Sequence, residues 1–93
     1  MNSPEIKAFI NDRGNLFWYI PGDKKGEISH ELLVETIFNY GSLNDIRELI
    51  LIMGIRRLSE IFSGIKGRQK LNYYPEMYHF FSVLINKYAH SDI

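Results

Sequence analysis

The chain has 93 residues, 45% of them hydrophobic, with eleven basic and eleven acidic side chains. This length and composition predict one small domain with a single core, and the zero net charge argues against a protein that binds nucleic acid over its whole surface. Because cysteine is absent, disulfides, cysteine nucleophiles and thiolate metal sites are excluded. The N-terminal residues lack the features of a signal peptide, and the longest apolar runs are too short for a membrane span. We therefore expect a cytoplasmic protein.

The first predicted helix covers residues 4–13. Ser3 can cap its N-terminus, and apolar residues recur along it at helical spacing. Gly14 is predicted to end the helix in the left-handed conformation. A hairpin that pairs residues 6–10 with residues 16–20 is an open alternative, because the connecting residues include Asn, Asp and Gly.

Leu16–Ile20 is a run of five large apolar or aromatic residues that ends at a Pro-Gly turn. Its length and its flanking turn residues predict an extended segment. We expect Phe17–Tyr19 to pack across the helices, with Trp18 as a buried anchor and not as a binding residue.

Two helices are predicted next, one capped by Ser29 and ended by Gly41, and the other capped by Ser42. Asp45, three residues after Ser42, can complete a capping box. In the second of these helices apolar residues occupy nearly every side of residues 49–53, so we expect it to be the central helix, covered on most sides.

Gly54 is predicted to break this helix and to begin another amphipathic one. A Pro-Glu pair at residues 75–76 starts the last helix, whose apolar face consists of Met77, Phe80, Phe81, Leu84 and Tyr88. Residues 89–93 are expected to fray. The sequence therefore predicts a single all-α domain over residues 1–93, a small bundle of four to five helices with an extended aromatic segment near the N-terminus.

Residues able to do chemistry are few. His30, His79 and His90 are too widely spaced to predict a metal site. Glu31 and Glu35 lie one helical turn apart, but no second pair of ligands accompanies them, and no phosphate-binding loop is present. We therefore expect no enzyme activity, no metal and no cofactor.

The two helices joined by Gly54 also allow a helix-turn-helix interpretation, with residues 55–62 as the recognition helix. Such motifs usually have a small residue four positions before the glycine and an aliphatic residue six positions after it. Ile50 and Glu60 occupy these places. Because both depart from the pattern, a small DNA-binding regulator is the alternative prediction.

Charge is unevenly distributed along the chain. Residues 27–48 contain five acidic residues and one arginine, a net charge of −4, and residues 55–70 contain five basic residues and one glutamate, a net charge of +4. Separate patches of opposite charge favour docking onto a protein partner or self-association. The predicted acidic contact face is Glu31 and Glu35, and the predicted basic contact surface, for protein or nucleic acid, is Arg56, Arg57, Lys66, Arg68 and Lys70.

Aromatic residues beyond the needs of a small core support the same prediction, because tyrosines are enriched at protein interfaces. Three of them follow the basic segment, namely Tyr73, Tyr74 and Tyr78.

Residues 16–86 resemble a small bacterial family in a set of aromatic and glycine landmarks, which are Leu16-Phe17-Trp18, Asn39-Tyr40-Gly41, Leu43-Asn44-Asp45, Met53-Gly54 and Phe80-Phe81. The chain departs from the family at Tyr19, where an aspartate is favoured. These proteins are similar to ones encoded beside nucleotidyltransferase-type toxins of abortive-infection systems. The resemblance implies an antitoxin-like or accessory regulator that binds such a toxin, and it assigns no site residues.

Overall fold

The computed structural model describes residues 2–65 and 67–89, and within these ranges the chain is helical, with no strand. The five α-helices are α1 (Pro4–Asp12), α2 (His30–Tyr40), α3 (Leu43–Met53), α4 (Ile55–Gly64) and α5 (Pro75–Ala89). Shorter 3-10 helices cover Gly14–Phe17, Gly22–Glu27 and Gly67–Asn72. The predicted small all-α bundle is confirmed, and the alternative hairpin is not formed. None of the helices in the described ranges is long and apolar enough to cross a membrane.

The three predicted serine caps are all present. The Oγ atoms of Ser3, Ser29 and Ser42 each accept a hydrogen bond from the backbone N–H three residues later, at 3.1–3.3 Å. Asp45 accepts in return from the Ser42 N–H at 2.9 Å, which completes the predicted capping box. These bonds satisfy N–H groups that have no partner inside the helix, so the helix starts are set by local sequence.

Glycine behaves as predicted at one helix end and not at another. Gly54 separates α3 from α4 with φ = 90°, and it is the only residue in the described ranges with a positive φ. Gly14 does not end α1 in the left-handed conformation. The Arg13 N–H donates to the Ile10 carbonyl at 3.1 Å, and the chain tightens directly into the following 3-10 helix.

The core is built around α2, and the prediction that α3 is the central helix was wrong. Five residues of α2 are buried, whereas α3 buries only Ile46 and Leu49. Leu51 of α3 is 79% exposed. The apolar residues of α3 therefore extend onto a side of this helix that no other described helix covers. The Phe38 ring of α2 stacks on Phe81 of α5 with ring centroids 4.3 Å apart, at the middle of the core.

The prediction that the aromatic segment Leu16–Ile20 is extended was also wrong. The Leu16 N–H donates to the Arg13 carbonyl at 2.9 Å and the Ile20 N–H to the Phe17 carbonyl at 3.0 Å, so a 3-10 helix passes into a tight turn. With no neighbouring strand, these backbone groups find partners locally. Phe17 is fully buried, but Trp18 points outward and is 78% exposed. Trp18 is therefore not the predicted core anchor.

Arg13 joins α1 to α3. Its Nε donates to Asp45 Oδ1 at 2.8 Å, its Nη2 donates to Glu48 Oε2 at 2.7 Å, and its guanidinium lies 3.9 Å from the centroid of the Phe9 ring. The Ser42 N–H and this guanidinium hold the pKa of Asp45 below its ordinary value. Two of the five acidic residues in 27–48 thus share one cation within the fold.

The last helix starts at Pro75 as predicted, but its most buried residues are Phe81 and Ile85. Tyr73, expected to be available at an interface, is 5% exposed and belongs to the core. The side chain of Tyr88 lies outside the described part of the structure, as do residues 90–93 of the segment expected to fray.

Candidate protein-binding groove

The structure describes three side chains of the predicted basic contact surface, those of Arg56, Arg57 and Lys70. Arg56 is exposed in the first turn of α4, and Lys70 is exposed with its Nζ 4.9 Å from the centroid of the Tyr78 ring. The Tyr78 ring in turn contacts the Phe62 ring near the end of α4, so Lys70 lies toward the opposite end of this helix from Arg56. Lys66 and the side chain of Arg68 lie outside the described residues.

Arg57 joins the predicted acidic and basic surfaces. Its Nη1 donates to Glu60 Oε1 at 3.3 Å, and its Nη2 lies 3.9 Å from Glu31 Oε2. Its Nε donates to His30 Nδ1 at 3.1 Å. Burial, followed by the charge of Arg57, lowers the pKa of His30. Arg57 is therefore engaged within the fold, and the charges of Glu31 and Glu60 are partly balanced by it.

An acidic cavity of about 480 Å³ lies between α2 and α4 and contains Glu35. Burial raises the pKa of Glu35, and a hydrogen bond from the Asn72 side chain opposes the shift. Burial and the nearby charges of Glu35 and Glu31 raise the pKa of Tyr73 above its ordinary value. The described residues include no group of three or more His, Asp or Glu side chains placed to hold a metal ion.

An aromatic groove of about 580 Å³ lies on the other side of Glu35, between α2 and the turn after Phe17. Its lining residues are Asn15, Leu16, Trp18, Tyr19, Leu32, Glu35, Thr36 and Tyr40. The Tyr19 and Thr36 hydroxyls are 2.6 Å apart, and the Trp18 ring meets the Tyr19 ring edge-on with centroids 5.7 Å apart. One wall of the groove is therefore fixed to α2.

The opposite wall is formed by Tyr40, which is 57% exposed and meets the Tyr74 ring edge-on with centroids 5.9 Å apart. Asn39 holds Tyr74 in place, since its Oδ1 accepts from the Tyr74 N–H at 3.0 Å. Its Nδ2 donates to the Asn72 carbonyl at 2.7 Å. Both walls are thus supported by contacts behind them.

The aromatic groove and the acidic cavity share Leu32 and Glu35, which are one turn apart on α2. The groove and the cavity therefore form one continuous face. The sequence identified Glu35 and Glu31 on this face but assigned Trp18 to the core. Of the three tyrosines expected at an interface, Tyr74 alone is half exposed beside the groove, whereas Tyr78 is half-buried.

Comparison of the chain with models of known protein families, with curated proteins and with solved structures finds no match. The function is therefore argued from the chemistry of this face.

Proposed function

We propose that the protein is a protein-interaction module that holds a segment of a partner protein in the aromatic groove. The observation that carries the proposal is Trp18, a 78% exposed tryptophan at the edge of a groove walled by Tyr19 and Tyr40. Trp and Tyr contribute most to binding where they line a preformed pocket. Exposed apolar groups gathered at one place mark interaction sites.

The groove fits a short segment with apolar and basic side chains. Its volume, about 580 Å³, falls in the roughly 300–1,000 Å³ range of pockets that enclose a ligand of a few side chains. Its one charged lining residue is Glu35, and Glu31 lies in the adjoining cavity. Charge complementarity therefore favours a partner segment with positive charge.

The family resemblance suggests which partner to test first. We expect a nucleotidyltransferase-type protein, with this chain as an antitoxin-like or accessory regulator. The resemblance assigns no site residues, and two of its landmarks, Trp18 and Tyr40, line the groove.

The proposal is tested with the purified partner and two matched variants. Trp18→Ala removes the exposed ring, and Leu51→Ala removes an equally exposed apolar side chain from α3. We expect Trp18→Ala to weaken binding about tenfold or more in calorimetry, and Leu51→Ala to leave it unchanged. Equal affinity of the wild type and Trp18→Ala for the partner would refute the groove as its binding site.

DNA binding by residues 55–62 stays a prediction. Arg57 is already paired with Glu60 and lies beside Glu31, which places negative charge where phosphates would approach. Salt-sensitive duplex binding that is lost in Arg56→Ala/Arg57→Ala and kept in Trp18→Ala would favour this alternative.

A further inference from the structure

We propose that the aromatic groove binds an arginine side chain of the partner, with its guanidinium against the rings of Trp18, Tyr19 and Tyr40 and paired with Glu35. The inference rests on the proposed function and specifies the chemistry that the partner segment must carry.

Three electron-rich rings line one groove, and no cation among the described residues covers them. Within the described ranges, the chain's own cation–π contacts are those of Arg13 with Phe9 and of Lys70 with Tyr78. No described cation of the chain itself therefore competes with an external cation for these rings. A ring face attracts a cation most strongly when the ring is tryptophan, followed by tyrosine.

Glu35 supplies the opposite charge at the base of the groove. Arg13 is already paired with Asp45 and Glu48. Arg57 already contacts Glu60, Glu31 and His30. No cation in the described part of the chain pairs with Glu35. A half-buried carboxylate without a cationic partner gains from one that arrives with a ligand.

Arginine fits this arrangement better than lysine. A planar guanidinium can stack on an aromatic face and still donate in its own plane to a carboxylate, whereas an ammonium is more strongly hydrated and does not stack. The stem of an arginine can lie on Leu32, which belongs to the same groove. One side chain can thus satisfy the apolar, aromatic and acidic parts of the site together.

The test uses the full chain and two small probes that differ in charge. N-acetyl-arginine amide carries the guanidinium, and N-acetyl-citrulline amide has nearly the same shape without the charge. Because Trp18 is the one tryptophan in the sequence, its indole N–H gives a single NMR signal at the site. We expect a saturable shift of that signal with the arginine probe and none with citrulline.

Two charge-removing variants locate the carboxylate involved. Glu35→Gln should weaken binding of the arginine probe about threefold or more. Glu5→Gln, at an exposed glutamate on α1 that does not line the groove, should have no effect. Tyr40→Leu should also weaken binding, with the helical circular dichroism of each variant unchanged. Equal shifts with citrulline, equal affinity for a blocked lysine, or no effect of Glu35→Gln would overturn the proposal.

The outcomes separate this inference from the proposed function. If Trp18→Ala abolishes partner binding but the arginine probe does not bind, the groove is a protein-binding site and the cation assignment is wrong. If Trp18→Ala leaves partner binding intact, the proposed function itself fails.

Discussion

The hydroxyl of Tyr19 lies 2.6 Å from the hydroxyl of Thr36, and this hydrogen bond joins the turn after Phe17 to the central helix α2. Thr36 is buried, whereas the Tyr19 ring is partly exposed in the groove. A contact of the core thus sets the position of a ring that lines the groove. The stability of the fold and the shape of the groove are coupled at this point.

Removing the Tyr19 hydroxyl should lower the stability of the fold and loosen the position of the Tyr19 ring in the groove. We expect Tyr19→Phe to lower the free energy of unfolding by about 1 kcal/mol, because the buried Thr36 hydroxyl loses its partner. Urea denaturation followed by circular dichroism measures the change. Trp18→Phe is the control and should stay within about 0.5 kcal/mol, since Trp18 is exposed. Tyr19→Phe as stable as the wild type would show that the bond contributes nothing.

Arg13 should be the most costly surface-region arginine to replace. Its side chain is only 14% exposed and meets two carboxylates. We expect Arg13→Met to lower the free energy of unfolding by about 2–3 kcal/mol, because Asp45 loses its cation while still partly buried. Arg47→Met, at an exposed site on α3, should cost less than about 0.5 kcal/mol. Similar losses in both variants would contradict the role given to Arg13.

Two glycine replacements should differ in their effect on stability, with only the one at Gly54 destabilising the fold. Gly54 has φ = 90°, and a Cβ built there would meet nothing within 4 Å, so the cost of Gly54→Ala is conformational. We expect a loss of about 1–3 kcal/mol. Gly64 lies in α4 with equally open space and no positive φ. Gly64→Ala should therefore be neutral or stabilising by up to about 1 kcal/mol. Thermal unfolding compares the two, and a destabilised Gly64→Ala would contradict this explanation.

His30 should make stability depend on pH. Burial and Arg57 lower its pKa in the folded state, so as the pH falls the unfolded chain takes up a proton first. The stabilisation is complete above the unfolded pKa of about 6.5 and is lost as the pH falls through the folded pKa. His30→Gln keeps an acceptor for the Arg57 Nε and removes the titration. We expect the wild type to lose more stability than His30→Gln in denaturation between pH 7.5 and 5.5. Parallel losses in the two proteins would exclude His30 as the cause.

The parts of the fold that the sequence predicted correctly are those decided within a few residues. The caps at Ser3, Ser29 and Ser42 and the break at Gly54 depend on nearby backbone groups, so local sequence was sufficient. Which helix is central depends on where the others pack. The apolar excess of α3 predicted a buried helix, but Leu51 faces away from α2 and stays exposed.

The candidate site was predicted only in part for the same reason. Glu35 was recognised from its spacing with Glu31, which is a property of one helix. The outward direction of Trp18 depends on the 3-10 geometry that buries Phe17, and the pairing of Arg57 with residues of α2 depends on the packing of α4. Neither relationship is visible from residue types along the chain.

The two hydrogen bonds of Asn39 have a consequence for how this protein would diverge. The Asn39 side-chain amide donates to the backbone carbonyl of Asn72 and accepts from the backbone N–H of Tyr74. The Tyr74 ring in turn supports the Tyr40 wall of the groove. Aspartate would lose the donor, and an apolar residue would lose both bonds. We expect sequences descended from a common ancestor to keep an amide at position 39, because both of its partners are backbone groups that nearly any residue at positions 72 and 74 supplies. An amide kept at this position would therefore help to identify distant relatives even after overall similarity has been lost.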